Sequence, residues 1–187
     1  MSAPMMPLRV AIIGAECTGK TTLAAALAAR LPALHLPEYL REFCAANGRT
    51  PRADEQAALL REQIAREAQA VAQAARDGLA WVLCDSVPLA TALYSIELFG
   101  DDSLLPEAIA HHQGYALTLW TGLDPVWQAD GIQRDGPAAR EAFHARLGET
   151  LVRHRFAHHP MQGDPDARAA SAISRLRAYP GVESASR

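Results

Sequence analysis

The sequence lacks the features of several protein classes. No apolar run approaches the roughly 20 residues that a membrane-spanning helix needs. Residues 1–7 carry no Lys or Arg and lead directly into a strand-like run, which argues against a signal peptide. The formal net charge is −3, so there is no basic excess of the kind that nucleic-acid-binding domains show. We therefore expect neither a nucleic-acid partner nor a membrane partner.

Cysteine is also scarce. The three cysteines, Cys17, Cys44 and Cys84, form no CxxC pair, so neither a disulfide framework nor a zinc site is predicted. This usage is typical of a reduced, cytoplasmic protein. The histidine doublets 111–112 and 158–159 have no partner at metal-ligand spacing, and we interpret them as solvated loop or helix residues.

The chain has 187 residues, of which 49% are hydrophobic, and this suits one domain with a complete core. Strand-like and helix-like segments alternate, which predicts an α/β fold with helices on both faces of a parallel sheet of about five strands. Residues 1–7 and 180–187 are expected to be flexible. The predicted strands cover 8–13, 34–36, 79–84, 115–120 and 156–161, and the predicted helices cover 19–30, 54–77, 88–98, 138–154 and 165–177.

The helix predicted over 54–77 is the longest one. Its apolar residues recur at steps of three or four positions, which predicts a stripe that faces the core. Gly78 stands where a C-terminal cap is expected. The predicted stripe consists of Leu60, Ile64, Ala68, Val71 and Ala75.

The strongest motif is GAECTGKT at residues 14–21, which matches the phosphate-loop pattern GxxxxGK[ST]. It lies between a strand-like run and a helix-like run, which is the context that the pattern requires. The glycines let successive N–H groups turn toward phosphate oxygens, and the following helix adds its positive end. The predicted nucleotide-binding residues are Gly14, Glu16, Cys17, Thr18, Gly19, Lys20, Thr21 and Thr22.

Individual loop residues have distinct expected roles. Lys20 would contact the β- and γ-phosphates as a catalytic charge, and the Thr21 hydroxyl would be a ligand of Mg²⁺ that accompanies ATP. Thr22 would contact the α-phosphate or lie on the helix surface. Cys17 is either an oxidisable thiol of lowered pKa or a small residue tolerated where only the backbone is used.

Asp85 follows the strand-like run that ends at Cys84. Ligands of doubly wound sheets lie at the carboxyl ends of the strands, so Asp85 is a candidate catalytic residue and metal ligand. An aspartate there can hold a magnesium-bound water or take the proton of an acceptor hydroxyl. The alternative is that Asp85 caps the helix that follows it.

Two polar segments complete the candidate site. Glu38, Tyr39 and Arg41 follow the second predicted strand and would bind a polar acceptor, or else they begin a solvated helix. Residues 127–136 are polar and contain glycine, which is typical of a short lid that delivers an arginine to the phosphates. Arg134 and Arg140 are the candidates, and an ordinary surface loop is the alternative.

The motifs GAECTGKTTL at 14–23, EYLREF at 38–43, LCDS at 83–86 with Thr91 downstream, and PVWQADG at 125–131 resemble the ribosylnicotinamide kinase domain of the NadR type. The resemblance implies a P-loop NTPase fold of the nucleoside- or nucleotide-kinase kind. It also implies transfer of the ATP γ-phosphate to the 5′-hydroxyl of nicotinamide riboside, a step of NAD salvage. By resemblance, Asp85 serves at the metal and the acceptor hydroxyl, Glu38 and Arg41 line the acceptor side, and Arg134 comes from the lid. Residues 162–168 would lie near adenine.

Two alternatives remain open at the level of sequence. The first is a regulatory module that binds ATP or GTP without a small acceptor, although residues 121–124, TGLD, lack the lysine of the guanine-recognition motif NKxD. The second is a kinase for a nucleotide or another phosphorylated metabolite, in which Arg41 would bind the acceptor phosphate. The oligomeric state is left open.

Overall fold

The computed structural model describes residues 6–125 and 136–180. Most of the two terminal segments that are expected to be flexible, 1–7 and 180–187, lies outside the described residues. Arg134 and most of the segment 127–136 also lie outside them.

The described residues form a sheet of five parallel strands in the order β2-β3-β1-β4-β5. In the centre, β1 pairs with β3, which sets Ile12 opposite Asp85, and with β4, which sets Ile13 opposite Trp120. Since the strands are parallel, all their carboxyl ends lie at one edge of the sheet, where the phosphate loop follows β1. The strands are β1 Leu8–Ile13, β2 Ala33–Leu36, β3 Trp81–Asp85, β4 Leu117–Thr121 and β5 His158–Met161.

Helices cover both faces of this sheet. One face packs Val10 and Ile12 against α1 and α7, and the other packs Ala11 and Ile13 against α3, α4 and α6. The predicted three-layer α/β/α fold is therefore confirmed. The helices are α1 Lys20–Ala28, α2 Tyr39–Asn47, α3 Gln56–Arg76, α4 Pro88–Phe99, α5 Leu105–His112, α6 Pro137–Arg153 and α7 Pro165–Arg177, with a short 3-10 helix at Ala53–Glu55. In the described part of the chain, every helix is too short or too polar to cross a membrane.

Of these helices, α2 appears in the sequence prediction only as the alternative of a solvated helix start at residues 38–41, and α5 is absent from it. They have nine and eight residues, and helices shorter than about 12 residues are marginal without tertiary packing. Here α2 packs against α3 and α5 packs against α4, so the stabilising contacts come from elsewhere in the chain. Local sequence patterns carry little information about such contacts.

The predicted core stripe of α3 is confirmed for Leu60, Ile64 and Val71, which lie in or pack against the core, and is wrong for its two alanines. Ala68 and Ala75 are exposed, whereas Gln63 and Glu67 face the interior. Glu67 is fully buried because its carboxylate accepts hydrogen bonds from Arg9 Nη1 at 2.9 Å and from the Tyr115 hydroxyl at 2.6 Å. His111 Nε2 lies 2.8 Å from the same carboxylate. The polar network around Glu67 therefore takes up part of the buried face of α3, where the apolar spacing had predicted Ala68 and Ala75.

The first histidine doublet is also not solvated as expected. The His112 side chain is 2% exposed, and its Nε2 lies 3.0 Å from Thr118 Oγ1. The pKa of His112 is lowered from 6.5 to about 3, mainly by burial and to a smaller extent by the electrostatic effects of His111 and Arg9. His112 is therefore neutral in the folded protein over the whole physiological pH range.

This burial predicts a pH dependence of stability. In the unfolded chain His112 binds a proton as pH falls below about 6.5, whereas in the folded protein it does not until about pH 3. The His112 contribution to folding is therefore present above pH 6.5 and is lost as pH falls, by about 1 kcal/mol between roughly pH 7.5 and 5.5. We expect urea titrations at the two pH values to show a smaller loss of unfolding free energy in His112→Asn than in the wild type. An identical loss in both proteins would show that the burial of neutral His112 does not cause this pH dependence.

Candidate active site

The phosphate loop needs glycine at both ends. At Gly14 a Cβ atom would lie 2.1 Å from Thr121 Oγ1, so no larger residue fits between β1 and β4. Gly19 has a φ of +81°, in the left-handed region that favours glycine. These two positions therefore place the loop backbone directly over the carboxyl edge of the sheet.

Side chains hold the loop from within. The Thr18 hydroxyl donates to the Ala15 carbonyl at 2.7 Å and lies 2.7 Å from Thr121 Oγ1 at the end of β4. Lys20 Nζ donates to the same carbonyl at 2.9 Å. Thr18 is fully buried, so its hydroxyl shapes the loop, and any contact that Thr18 makes with nucleotide would use its backbone.

Helix α1 begins at Lys20 with no side-chain cap from Gly19. The first N–H groups of a helix lack intrahelical partners, and without a side-chain cap they are available to an anion. Thr21 and Thr22 have exposed side chains on this first turn, whereas Glu16 and Cys17 are half-buried in the loop. The structure thus gathers the predicted nucleotide-binding residues around one helix N-terminus.

Asp85 is the last residue of β3 and lies opposite Ile12, two positions before the loop begins. Its side chain is 2% exposed, and Oδ1 has no hydrogen-bond partner in the described parts of the chain. Oδ2 lies 3.6 Å from His35 Nε2, which is also without a hydrogen-bond partner there. The capping alternative is wrong, because Val87 occupies the N-cap position of α4 and no side chain caps it.

His35 is a site residue that sequence reasoning missed. It lies in β2, the strand next to β3, one residue before β2 ends. The signal in the sequence was a polar residue near the end of a predicted strand. The next predicted strand along the chain leads directly to Asp85. Its imidazole faces the Asp85 carboxylate on the α1 side of the sheet, because it is in register with the buried Leu83.

Thr21 and Asp85 offer a hydroxyl and a carboxylate oxygen, the hard ligands that Mg²⁺ prefers. The exposed Thr21 side chain and the partnerless Asp85 Oδ1 are consistent with a metal bound at this edge. Within 6–125 and 136–180, no group of three or more His, Cys, Asp or Glu side chains is arranged to hold a metal. Mg²⁺ keeps several waters and binds mainly through substrate phosphates and one or two protein oxygens, the number that Thr21 and Asp85 could offer.

The predicted acceptor residues lie at the start of α2, where Glu38 is the N-cap. Arg41 Nε donates to Glu38 Oε2 at 3.2 Å. The backbone N–H of Tyr39 donates to Gln63 Oε1 at 3.3 Å, and Gln63 Nε2 donates to the Ser86 carbonyl at 3.5 Å. Gln63 therefore links the start of α2 to the residue that follows Asp85.

Arg66 of α3 lies beside this acceptor segment. Its guanidinium is 4.1 Å from the centre of the Tyr39 ring and is paired with Glu42 and Glu62. The hydrogen bonds that Arg66 donates to these two carboxylates raise its pKa above its usual range. The Tyr39 ring is thus already covered on one side by a fixed cation.

Two arginines contact the phosphate loop from outside. Arg140, which sequence reasoning considered as a lid residue, is 7% exposed and donates to the carbonyls of Pro125 at 2.8 Å, Leu123 at 3.2 Å and Cys17 at 3.5 Å. Arg168 donates to the Thr18 carbonyl and is 3% exposed. The resemblance places residues 162–168 near adenine, and the structure places the guanidinium of Arg168 against the loop backbone. Arg134 lies outside the described residues.

The fold is similar to solved kinase structures. NadR in complex with NR superposes with a TM-score of 0.75 at 21% identity, over 95% of this chain and 53% of that chain. NadR in complex with NAD and AMP-PNP gives 0.73 at 21% identity, over 95% and 51%. The chain thus spans about half the length of these NadR chains. Thymidylate kinase from Ehrlichia chaffeensis gives 0.65 at 14% identity, over 91% and 99%.

Sequence comparison identifies the family of the chain. No curated protein sequence matches the chain. A family model described as "AAA domain" matches residues 9–168, a range that contains the phosphate loop, Asp85, Arg140 and Arg168. The chain therefore belongs to this AAA domain family and has the P-loop kinase-like fold found in NadR and thymidylate kinase.

Proposed function

We propose that the protein is an ATP- and Mg²⁺-dependent kinase that phosphorylates a nucleoside, with nicotinamide riboside as the first candidate acceptor. The observation that carries this proposal is the position of Asp85. A buried carboxylate with one partnerless oxygen ends the strand next to β1, at the sheet edge where the phosphate loop follows β1. Phosphoryl transfer needs this pairing of a phosphate site with a carboxylate that serves the metal and the acceptor hydroxyl.

On the donor side, Lys20 and the N–H groups at the start of α1 would bind the ATP phosphates, and Thr21 would bind Mg²⁺. The metal would neutralise charge on the transferring group and orient it. Asp85 would hold a water of the metal or accept the hydroxyl proton of the acceptor. Either role requires an ionised carboxylate with a free oxygen.

On the acceptor side, the charges favour a nucleoside over a nucleotide. Arg41 is paired with Glu38, and Arg66 is paired with Glu42 and Glu62. A phosphate on the acceptor would have to compete with these carboxylates for the arginines. A neutral or cationic nucleoside meets no such competition, and nicotinamide riboside carries a cationic ring. The NadR structure in complex with NR supports this choice, and the same proposal implies a cytoplasmic role in NAD salvage.

An acceptor screen tests the proposal. ADP release would be measured with Mg·ATP and, in turn, nicotinamide riboside, adenosine, thymidine and thymidine monophosphate. We expect nicotinamide riboside or another nucleoside to raise the rate about 100-fold or more above hydrolysis by water. Faster ADP release with thymidine monophosphate than with any nucleoside would mean that the acceptor is a nucleotide. If the protein is folded and no acceptor raises the rate of ADP release, the proposal of a kinase is refuted.

A further inference from the structure

Arg168 joins three loops at the carboxyl edge of the sheet. It lies in the first turn of α7, and its guanidinium and Nε donate to the carbonyls of Thr18, Gly163 at 2.9 Å and Gly122 at 3.4 Å. These carbonyls belong to the loops that follow β1, β5 and β4. Because the arginine is 3% exposed, water does not compete for these bonds.

Asp124 supplies the counter-charge for this arginine. Its Oδ2 accepts a hydrogen bond from Arg168 Nη2 at 2.7 Å and another from the Gly163 N–H at 2.9 Å. The hydrogen bond from Arg168 lowers the pKa of Asp124. A buried guanidinium without a carboxylate would be costly, so Asp124 holds Arg168 in a single orientation.

The bond to Thr18 fixes the orientation of one peptide group in the phosphate loop. In a trans peptide the carbonyl and the next N–H point in opposite directions within one plane. Arg168 binds the Thr18 carbonyl on its side of the loop, so the Gly19 N–H points away from Arg168. Contact is close, since a Cβ atom at Gly19 would lie 3.5 Å from Arg168 Nη1. Gly19 itself has no side chain that could fix this peptide.

We propose that Arg168, held by Asp124, is a positioning residue that keeps the Thr18–Gly19 peptide in the orientation that receives nucleotide phosphate. Arg168 acts through the loop and does not touch the reacting atoms. A loop whose N–H groups are already oriented binds phosphate without a cost of ordering. This inference rests on the proposed function only in that the loop binds a nucleoside triphosphate.

Binding of AMP-PNP with Mg²⁺ tests this role without any acceptor. Arg168→Lys keeps the charge but loses the planar, multidentate contact. We expect its Kd for AMP-PNP to rise about 10-fold, the effect of losing one or two charged hydrogen bonds. In the wild type and the variant, the acceptor KM at saturating ATP should agree within about twofold, because only the nucleotide subsite changes. Asp124→Asn should raise the Kd for AMP-PNP about threefold, since the neutral amide holds Arg168 less firmly.

Arg30→Gln is the matched control. Arg30, just after the end of α1, and Asp166, in the same first turn of α7, form an exposed ion pair of 3.3 Å. Arg30→Gln removes this ion pair and should leave the Kd for AMP-PNP unchanged. An unchanged Kd in Arg168→Lys, with only a lower melting temperature, would overturn the proposal. If Arg168→Lys does not fold, an unchanged Kd in Asp124→Asn would overturn it. A wild-type protein that binds AMP-PNP but phosphorylates no nucleoside would refute the proposed function alone.

Discussion

Lys20→Ala is expected to reduce phosphoryl transfer about 1000-fold or more, because one fixed positive charge on the transferring phosphate is lost. Lys20 is 9% exposed, and its Nζ is held 2.9 Å from the Ala15 carbonyl, inside the loop that would surround the phosphates. The fold should survive the substitution, because the Thr18 hydroxyl still donates to the Ala15 carbonyl at 2.7 Å. The measurement is kcat/KM for ATP at saturating acceptor, with circular dichroism to verify folding.

Lys20→Arg provides the matched comparison. The substitution keeps the charge but replaces a compact ammonium with a planar guanidinium, and we expect it to remain strongly impaired. Lys20 is also the only lysine in the sequence, so an amine-reactive ATP analogue has one side-chain target. ATP should protect this lysine from labelling. Substantial activity in Lys20→Ala would show that the phosphate loop is not the catalytic site.

Asp85→Asn is expected to lower kcat about 100-fold or more, because the amide can neither accept the hydroxyl proton nor hold a metal-bound water as a carboxylate does. The side chains are nearly isosteric, and a buried charge is removed, so stability should not fall. The expected pattern is a large decrease in kcat with a small change in the Kd for AMP-PNP without metal. Steady-state kinetics with the best acceptor of the screen measures it.

His35→Gln distinguishes the contribution of the Asp85 carboxylate to kcat from that of the neighbouring imidazole. It removes the imidazole that lies 3.6 Å from Asp85 Oδ2 but leaves the carboxylate in place. We expect a smaller decrease in kcat than in Asp85→Asn, about 10-fold or less. If Asp85→Asn keeps wild-type kcat, the assignment of Asp85 to the reaction is wrong.

The candidate donor side of the site could be predicted from the sequence because most of its residues are contiguous. The loop at 14–21 follows a fixed pattern, and the structure shows why Gly14 and Gly19 stand where they do. Asp85 was predicted from its place at the end of an apolar run, and β3 does end at this residue. Both inferences depend on local features alone.

The parts that were missed depend on contacts between distant segments. Thr18 meets Thr121 across 103 positions, and Arg168 meets the Thr18 carbonyl across 150. Asp124 belongs to a TGLD segment that was judged only as an incomplete guanine motif. Glu67 is buried on the core side of α3, where no charged residue was predicted, because three side chains from other elements bind it. No spacing rule along the sequence encodes these partners.

The candidate acceptor side is defined by charged side chains rather than by a contiguous motif. Helix α3 offers no aromatic residue between 54 and 77, and the Tyr39 ring already carries Arg66 on one side. The pairing of Arg41 and Arg66 with carboxylates favours a nucleoside, and the acceptor screen identifies its base.

The fate of the γ-phosphate tests the central claim most directly. The wild-type protein and Lys20→Ala would be incubated with Mg²⁺, γ-labelled ATP and nicotinamide riboside or the best nucleoside of the screen, and the products would be separated. We predict that the wild-type protein transfers the label to a nucleoside 5′-monophosphate and that Lys20→Ala does not. Label that appears only in inorganic phosphate, at a rate independent of the nucleoside, would contradict the kinase and favour a regulatory ATPase.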